Sequence, residues 1–276
     1  MTARRSRASR SSLKIALTIA GSDPTGGAGI QGDLRTFAAL SVHGLSAITC
    51  LTAQGTRGVR DVVAVRATLL RAQLDALVAD VTIDAIKTGA LATAANVRVV
   101  IDLATALPAV PLVVDPVIAS SSGAALLDAR GVRLLIEALM PRATLITPNV
   151  DELRLLLGDR RRARDVAALV RAAERLRERG ARAVLAKGGH LDGEPIDVLV
   201  DASGTRVLRG RRIETTCTHG TGCTLASAIA AELAKGASLA VAARRAKTFV
   251  SRAMNAGVPI GPGTSPLGHF FARRLT

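Results

Sequence analysis

Short apolar runs alternate along the chain with longer segments whose apolar residues recur at the period of an α-helix. The short runs predict β-strands at residues 15–20, 45–51, 85–87, 112–115, 144–147 and 182–187. The periodic segments predict helices at residues 28–40, 69–79, 94–106, 132–139, 150–157 and 166–179. Strands and helices in turn are typical of a parallel sheet with helices packed on both of its faces.

The pattern changes after residue 187. Residues 197–201 and 205–208 flank a turn of Ala202, Ser203 and Gly204, which predicts a β-hairpin. Two alanine-rich helices are predicted at residues 221–235 and 239–254, and no flexible linker or internal repeat divides the chain. We therefore expect residues 15–276 to form one α/β domain with a mostly parallel central sheet and a small β-hairpin addition, after a disordered basic tail of residues 1–14.

Composition agrees with this fold class. The 276 residues are 49% hydrophobic but only 1% aromatic, so the core must consist of alanine, valine, leucine and isoleucine. Every apolar run is shorter than the ~20 residues of a membrane helix, and residues 15–20 are too few for a secretion signal. The cysteines, Cys50, Cys217 and Cys223, are odd in number and lack metal-ligand spacing, which favours reduced thiols in the cytoplasm and no membrane partner.

The net charge of +15 is the feature that most favours a nucleic-acid partner. However, nearly all of the basic charge is arginine, which together with the abundant alanine indicates a compositional bias across the whole chain. No RNP-type aromatic motif, zinc-finger spacing or base-stacking platform accompanies the charge. We expect no specific nucleic-acid partner, although a non-catalytic basic nucleic-acid-binding protein remains an alternative, and the positive field would attract small anionic ligands.

Glycine-rich segments stand where predicted strands lead into helices. Residues 20–33 contain Gly21, Gly26 and Gly27 and end with Asp33 in the first turns of a helix. The segment has neither the Gly-Lys-Ser/Thr ending of a Walker A loop nor the spacing of a dinucleotide fingerprint. Ligands bind at such strand ends in α/β proteins, so the segment is a candidate binding loop; a flexible loop with a capping aspartate is the alternative.

A second such segment, residues 218–224, has the sequence Thr-His-Gly-Thr-Gly-Cys-Thr directly before an apolar helix. The amides of Gly220, Thr221 and Gly222 at that helix N-terminus would form an anion hole. The positive end of the helix dipole would lower the pKa of Cys223, so its thiolate could act as a base or nucleophile. The alternative is a glycine-rich helix cap with a buried cysteine.

Charged side chains end three further strands. Lys187 precedes Gly188 and Gly189, where a lysine suits a phosphate group. Asp115 ends the strand at 112–115, and Glu152 follows the strand at 144–147. Carboxylates at this edge can hold Mg²⁺, usually through water, whereas helix capping by Asn149 and Asp151 is the alternative.

In their order along the chain, these motifs resemble those of the hydroxymethylpyrimidine/phosphomethylpyrimidine kinases of thiamine biosynthesis, in the ribokinase-like superfamily. The shared segments are residues 20–31 (Ala-Gly-Ser-Asp-Pro-Thr-Gly-Gly-Ala-Gly-Ile-Gln), 52–54 (Thr-Ala-Gln), 87–89 (Lys-Thr-Gly), 115–117 (Asp-Pro-Val), 147–149 (Thr-Pro-Asn), 187–190 (Lys-Gly-Gly-His) and 219–224 (His-Gly-Thr-Gly-Cys-Thr). The resemblance spans residues 15–271. It implies a ribokinase-like fold and two ATP-dependent phosphoryl transfers, first to 4-amino-5-hydroxymethyl-2-methylpyrimidine and then to its monophosphate.

The resemblance also implies a role for each motif. Cys223 would be the catalytic base near the hydroxymethyl group, the amides of Gly220, Thr221 and Gly222 would be the anion hole, and Lys187 would face the transferred phosphate. Nucleotide phosphates would be bound by Lys187, Thr218, Gly220 and Gly222.

For the other ligands, the resemblance places Gln54 and Asp33 on the aminopyrimidine, with Gly21 beside it. Glu152, with Asp115 behind it, would hold Mg²⁺. The partners are then the small pyrimidine and ATP, and a cytoplasmic homodimer is expected.

Some positions depart from the family pattern. Thr88 and Ala90 stand where isoleucine and methionine are common, and Gly55 stands where asparagine is common. These differences concern the shape of the substrate pocket and leave the anion hole untouched. A pyridoxal kinase or a dual-specificity relative is therefore the main alternative, although many pyridoxal kinases have aspartate at the position of Cys223.

Overall fold

A single mixed sheet connects all the strands of residues 13–120, 123–189, 191 and 194–270, which are the residues that the computed structural model describes. The strands are β1 (Ile15–Ser22), β2 (His43–Gly55), β3 (Gly58–Ala64), β4 (Ala85–Thr88), β5 (Leu112–Val114), β6 (Leu145–Ile146), β7 (Val184–Gly188), β8 (Ile196–Asp201) and β9 (Gly204–Leu208). Their order is β3-β2-β1-β4-β5-β6-β7-β8-β9.

Helices connect the strands. They are α1 (Gly29–Ala39), α2 (Ala67–Asp80), α3 (Ala94–Ala106), α4 (Ala129–Leu134), α5 (Val150–Leu157), α6 (Val166–Glu178), α7 (Thr221–Ala234) and α8 (Leu239–Asn255). In the part of the chain that the structure describes, no helix is both long and apolar enough to span a bilayer.

Strands β1, β2, β4, β5, β6 and β7 pair in parallel, whereas β3, β8 and β9 pair antiparallel at the two edges. The predicted fold class is therefore confirmed, including the hairpin of β8 and β9. Short turns suffice for these antiparallel pairs, while each parallel pair needs a crossover segment.

Two apolar layers enclose the sheet, because successive side chains of a strand point to opposite faces. On β1, Leu17 packs into one layer with helices α2, α3, α5 and α6, while Ala16 packs into the other with α1, α7 and α8. Both layers consist mainly of alanine, valine, leucine and isoleucine, as the composition predicts.

The structure differs from the predicted elements at two places. Strand β3 was not predicted: its residues include Arg60 and Asp61 and are half-buried or exposed, so no apolar run marks them. The helix predicted at 132–139 is instead α4 followed by a π-helical turn (Leu135–Leu139). The basic tail predicted for residues 1–14 lies outside the described residues except for Leu13 and Lys14, and the single domain at 15–276 stays a prediction.

Candidate active site

A cavity of about 520 Å³ opens at the carboxyl ends of the parallel strands. This volume suits a small-molecule ligand. Its lining includes most of the residues that the sequence selects, which are Gly21, Gln54, Asp115, Glu152, Lys187, Thr218, Gly220, Thr221, Gly222 and Cys223. The segments after β1, β5 and β6 and the end of β7 thus meet the beginning of α7, although their residues are far apart in the sequence.

Lys187 is the cationic centre of the cavity. Its Nζ donates to Asp115 Oδ1 at 2.9 Å and lies 3.9 Å from Glu152 Oε2. Burial opposes the charge of Lys187, but Asp115 and Glu152 outweigh it and raise the pKa of the lysine. Burial alone would also raise the pKa of Asp115, yet Lys187 and Lys87 lower it overall. Lysine and aspartate are therefore both charged at neutral pH.

Glu152 differs from Asp115 in its protonation. The residue begins α5, and its carboxylate accepts the amide of Asn149 at 2.8 Å in a capping box. Burial raises the pKa of Glu152 to about 7, with Lys187 opposing the shift and Asp115 adding to it. Of the two capping residues that the sequence offered, Asn149 is the N-cap of α5, and its side chain accepts hydrogen bonds from the amides of Asp151 and Glu152. Glu152 takes part in the capping box and also lines the cavity.

The N-terminus of α7 closes one side of the cavity. Gly220 caps the helix with φ +85°, and a Cβ there would lie 1.9 Å from the carbonyl oxygen of Gly27. At Gly222 a Cβ would lie 3.1 Å from Lys187 Nζ. Glycine therefore allows the loop after β1 and the lysine ammonium to approach the helix N-terminus, where amides and dipole favour an anion. The Thr221 amide donates to the Thr218 carbonyl at 3.3 Å.

The protonation predicted for Cys223 is wrong. Burial raises the pKa of its thiol to about 11; Lys87 opposes this shift, while Asp115 and Asp33 add to it. The loss of hydration on burial, which the sequence does not reveal, is the largest cause of this shift. Cys223 is half-buried and lines the cavity, so its position agrees with the prediction although its charge does not.

Asp33 does not line the cavity, and its predicted contact with the pyrimidine is not supported. Its carboxylate is completely buried and accepts hydrogen bonds from Lys87 at 2.7 Å, Thr18 at 2.5 Å and Ser227 at 2.6 Å. These bonds occupy both oxygens, so none faces the ligand space. The sequence shows Asp33 in the first turns of a helix but does not show which face of that helix is buried.

Two functional candidates had no role in the sequence analysis. His219 Nε2 lies 2.7 Å from Asp23 Oδ2 and 3.2 Å from Gln54 Nε2, and all three residues line the cavity. Burial alone would raise the pKa of Asp23, but hydrogen bonds from His219, Ala28 and Thr25 lower it to about 2. Asp23 directly follows β1, and His219 lies in the segment before α7. Their positions at a strand end and before a helix start are the sequence signal that could have marked both as site residues. His190 lies outside the described residues.

Magnesium is the metal that the resemblance implies here. No cluster of three potential ligands occurs among the described residues. Mg²⁺ nevertheless usually keeps several waters and binds through one or two carboxylates plus the phosphates of its substrate. Glu152 offers a carboxylate at the cavity wall, while Asp115 is engaged by Lys187 and Thr147. The donor set therefore fits a water-mediated cation at Glu152 with Asp115 behind it.

Comparison with known proteins agrees with this geometry. A family model described as phosphomethylpyrimidine kinase matches residues 23–268. A hydroxymethylpyrimidine/phosphomethylpyrimidine kinase of Streptomyces coelicolor is 46% identical over 258 residues, covering 94% of this chain and 95% of that protein.

Solved structures show the same similarity. A phosphomethylpyrimidine kinase structure from Clostridium difficile has a TM-score of 0.76 at 37% identity, covering 87% of this chain and 99% of that one. A pyridoxal kinase from Staphylococcus aureus, solved with AMP-PCP and pyridoxal, has a TM-score of 0.86 at 32% identity, covering 95% of this chain and 96% of that one.

Proposed function

The chain belongs to the phosphomethylpyrimidine kinase family, and from this premise we propose that it transfers phosphoryl groups from ATP to 4-amino-5-hydroxymethyl-2-methylpyrimidine and then to the resulting monophosphate. The chain is a kinase, as its relatives along most of its length are. AMP-PCP is an ATP analogue, so the structural relative that binds it supports ATP as the donor. The two transfers would together supply the pyrimidine diphosphate of thiamine biosynthesis.

The observation that most supports this proposal is the position of Lys187. Its ammonium lies in the cavity, beside the glycine-rich N-terminus of α7. Phosphoryl transfer needs little covalent chemistry from the protein and depends mainly on positioning and electrostatic stabilisation of the phosphoryl oxygens. We assign that stabilisation to Lys187 and to the amides of Gly220, Thr221 and Gly222, with Thr218 beside the donor phosphates.

The pyrimidine would bind on the side of Gln54. A carboxamide can donate to one ring position and accept from another, which suits the donor and acceptor edge of an aminopyrimidine. His219 lies within hydrogen-bond distance of both Gln54 and Asp23, so these three residues form one side of the cavity wall. Gly21 lines the cavity beside Cys50, and glycine is required there because a Cβ would lie 2.6 Å from the Sγ of Cys50.

Cys223 would face the hydroxymethyl group and take its proton in the first transfer. Because its pKa is about 11, only a small fraction of the enzyme holds the thiolate at neutral pH. That fraction supplies the base of the first transfer, because only the thiolate can accept the hydroxyl proton. In the second transfer the acceptor is a phosphate that needs no base.

A magnesium ion, when bound, would neutralise charge on the phosphates of ATP. Glu152 would hold its water shell, with Asp115 behind it. The carboxyl group must be ionised for this role, and that requirement connects the activity to the pKa of about 7.

Pyridoxal is the second candidate substrate. The similarity to the pyridoxal kinase solved with AMP-PCP and pyridoxal supports it, because that chain covers nearly all of this one. Ala90 lines the cavity at a position where the larger methionine is common in the family, which leaves room for a ring that differs in shape from the pyrimidine. The cysteine at position 223 favours the pyrimidine.

The two substrates can be compared directly. The kcat/KM for the pyrimidine alcohol and for pyridoxal would be measured side by side with saturating ATP. We expect a clear preference for the pyrimidine, whereas a higher value for pyridoxal would reverse the assignment. A homodimer and a cytoplasmic location stay predictions.

A further inference from the structure

Lys87, on β4, is a completely buried lysine. Its Nζ donates to Asp33 Oδ1 at 2.9 Å and to Asp33 Oδ2 at 2.7 Å. Two hydroxyls hold the same carboxylate, from Thr18 at 2.5 Å and from Ser227 at 2.6 Å. The ion pair is therefore fixed from three elements, β1, β4 and α7, in addition to α1, which contains Asp33.

This ion pair lies directly beneath the cavity. A Cβ at Gly89, which lines the cavity, would lie 3.0 Å from Lys87 Nζ. Ser227, which binds Asp33, lies one helical turn after Cys223 on α7, so both side chains are on the same face of that helix. Lys87 does not line the cavity, so its ammonium lies behind the wall at Gly89, and its partner Asp33 is bound by the face of α7 that also carries Cys223.

Stability alone does not account for such a pair. Removing two charges from water costs several kcal/mol per ion, and an apolar pair of similar volume is often as stable or more stable. A buried lysine and aspartate with every polar atom of the carboxylate occupied therefore needs another explanation. The position behind Cys223 supplies one.

Four charged groups act on Cys223 from the elements around it. Lys87 and Lys187 are the cations, on β4 and β7, and Asp115 and Asp33 are the anions, after β5 and on α1. After burial, Lys87 has the largest effect on the pKa of the thiol and lowers it. Burial opposes the charge of Lys87 itself, but Asp33 raises the lysine pKa, so the ammonium persists.

We propose that Lys87 is a positioning residue of the first phosphoryl transfer, whose ammonium, fixed by Asp33, stabilises the thiolate form of Cys223. The inference rests on the function proposed above. In the transfer, the thiolate takes the proton of the acceptor hydroxyl and becomes a thiol. The acceptor oxygen forms a bond to the γ-phosphorus, and the bond between that phosphorus and the leaving ADP oxygen breaks.

Stabilising the thiolate is favourable here although it weakens the base. When a pKa lies well above the working pH, each unit by which it falls raises the thiolate fraction about tenfold, while the intrinsic reactivity of the thiolate falls by only about threefold. A cation behind Cys223 therefore increases the rate. The same cation has no comparable effect on the second transfer, where no hydroxyl proton is removed.

The test replaces the ion pair without leaving a buried charge. Lys87→Met alone would leave the Asp33 carboxylate buried without its cation. The first variant therefore combines Lys87→Met with Asp33→Asn. A second variant combines Lys87→Gln with Asp33→Asn and retains polar side chains at both positions. The matched control is Glu232→Gln with Arg245→Met, which removes a 2.8 Å ion pair between α7 and α8, more than two turns from Cys223. Thermal unfolding and circular dichroism establish that each protein is folded.

Two readouts are compared. One is the rate at which iodoacetamide alkylates Cys223 as a function of pH, followed by peptide mass spectrometry, since Cys50 and Cys217 are buried. The other is single-turnover transfer to the pyrimidine alcohol and to its monophosphate. A single charge within a few ångströms shifts a pKa by about 1–3 units. Lys87 and Asp33 act on the pKa of Cys223 in opposite directions, so replacing both should raise that pKa by roughly one unit.

We expect the ion-pair variant to alkylate about threefold more slowly than wild type at neutral pH, and the rate of its first transfer to fall by a similar factor with the second unchanged. The control should match wild type. Unchanged alkylation in a folded ion-pair variant, or equal losses in the two transfers, would overturn the proposal. If wild type forms no pyrimidine phosphate, the proposed function fails instead, and the alkylation rates still decide whether Lys87 acts on the thiol.

Discussion

At Cys223, burial and electrostatics act on one thiol in opposite directions. Burial raises the pKa of the thiol to about 11, with Lys87 opposing the shift and the carboxylates of Asp115 and Asp33 adding to it. The enzyme at neutral pH therefore holds mostly the thiol. A base that is mostly protonated makes the first transfer depend on pH across the neutral and alkaline range.

Cys223→Ala tests this base. The rate of the first transfer should fall by about a hundred- to ten-thousandfold and the rate of the second by much less, because only the hydroxyl acceptor must lose a proton. In wild type, the first transfer should rise with pH between neutrality and pH 9, and in Cys223→Ala it should not. Single-turnover rates with the alcohol and the monophosphate measure both effects.

The controls separate a base from a packing residue. Cys223→Asp should keep part of the activity, because a carboxylate is favourable at a helix N-terminus. Cys217→Ala removes a buried thiol outside the cavity lining and should retain the ratio of the two transfers. Equal, small losses in both transfers with Cys223→Ala would leave Cys223 as a packing residue.

Glu152 predicts a second pH dependence. Its pKa of about 7 means that the carboxyl group is protonated below that pH and cannot hold a cation shell through its charge. Glu152→Gln should therefore lose about ten- to a hundredfold in turnover above pH 7 and approach wild type below it. The ratio of the two turnover numbers between pH 6 and pH 8.5 is the measurement.

Stability provides the control for Glu152. The folded pKa lies above the usual 4.5, so between about 4.5 and 7 the folded protein binds a proton that the unfolded chain has released. Its contribution to stability falls as pH rises through this window, and Glu152→Gln should gain in relative stability over the same window. A turnover ratio that does not change with pH would remove Glu152 from the cation site.

Gln54→Ala should raise the KM for the pyrimidine more than the KM for ATP. It deletes hydrogen bonds to one ligand only, at a cost of about 0.5–1.5 kcal/mol, or more where a polar group is left unpaired. Gln73→Ala is the matched control, because Gln73 binds the backbone of Ile48 and does not line the cavity. Equal rises in both KM values with Gln54→Ala would indicate a general loss of structure.

Single residues show how far the sequence alone leads. Lys187, Glu152 and Cys223 were predicted at strand or helix ends, and the cavity brings them together because parallel strands end at one edge. The partner of Asp33 and the pKa of Cys223 were not predictable, since both depend on burial by elements distant in the chain.

Among the elements, helix α7 has the closest connection to function. Its cap, Gly220, has φ +85° and lies against Gly27, whereas Gly236, after the other end of α7, has φ +84° and nothing within contact distance of a Cβ. Alanine at Gly236 should cost about 1 kcal/mol of stability through the backbone conformation, and alanine at Gly220 should cost more, because its Cβ would also clash with the Gly27 carbonyl. Only Gly220→Ala should also displace the anion hole and lower kinase activity.

Thermal unfolding and turnover of the two glycine variants separate these effects. Activity lost only in Gly220→Ala, at a temperature where both variants are folded, would agree with an anion hole at the N-terminus of α7. Equal activity in both variants would place the phosphoryl group elsewhere.

The buried strands and the amphipathic helices were predicted from pattern, because a strand covered on both faces must be apolar. Strand β3 was missed for the opposite reason: it is an edge strand with charged, exposed side chains. The π-helical turn after α4 has no sequence signal that periodicity can detect.

At the scale of the whole molecule, the sheet topology explains why one edge holds the site. Residues from β1 to α7 converge there, where Lys187 lies among acidic residues of the lining, while the chain as a whole has a net charge of +15. A positive field raises the local concentration of anionic ligands, which suits ATP and a phosphorylated pyrimidine.

The central claim is that this cavity phosphorylates the pyrimidine alcohol twice. Purified full-length protein, ATP, Mg²⁺ and 4-amino-5-hydroxymethyl-2-methylpyrimidine would be incubated and the products followed over time by mass spectrometry, with Lys187→Met in parallel. We predict that wild type forms the monophosphate first and the diphosphate after it, and that folded Lys187→Met is strongly impaired in both steps. Hydrolysis of ATP without any phosphorylated pyrimidine, or undiminished products from Lys187→Met, would contradict the account.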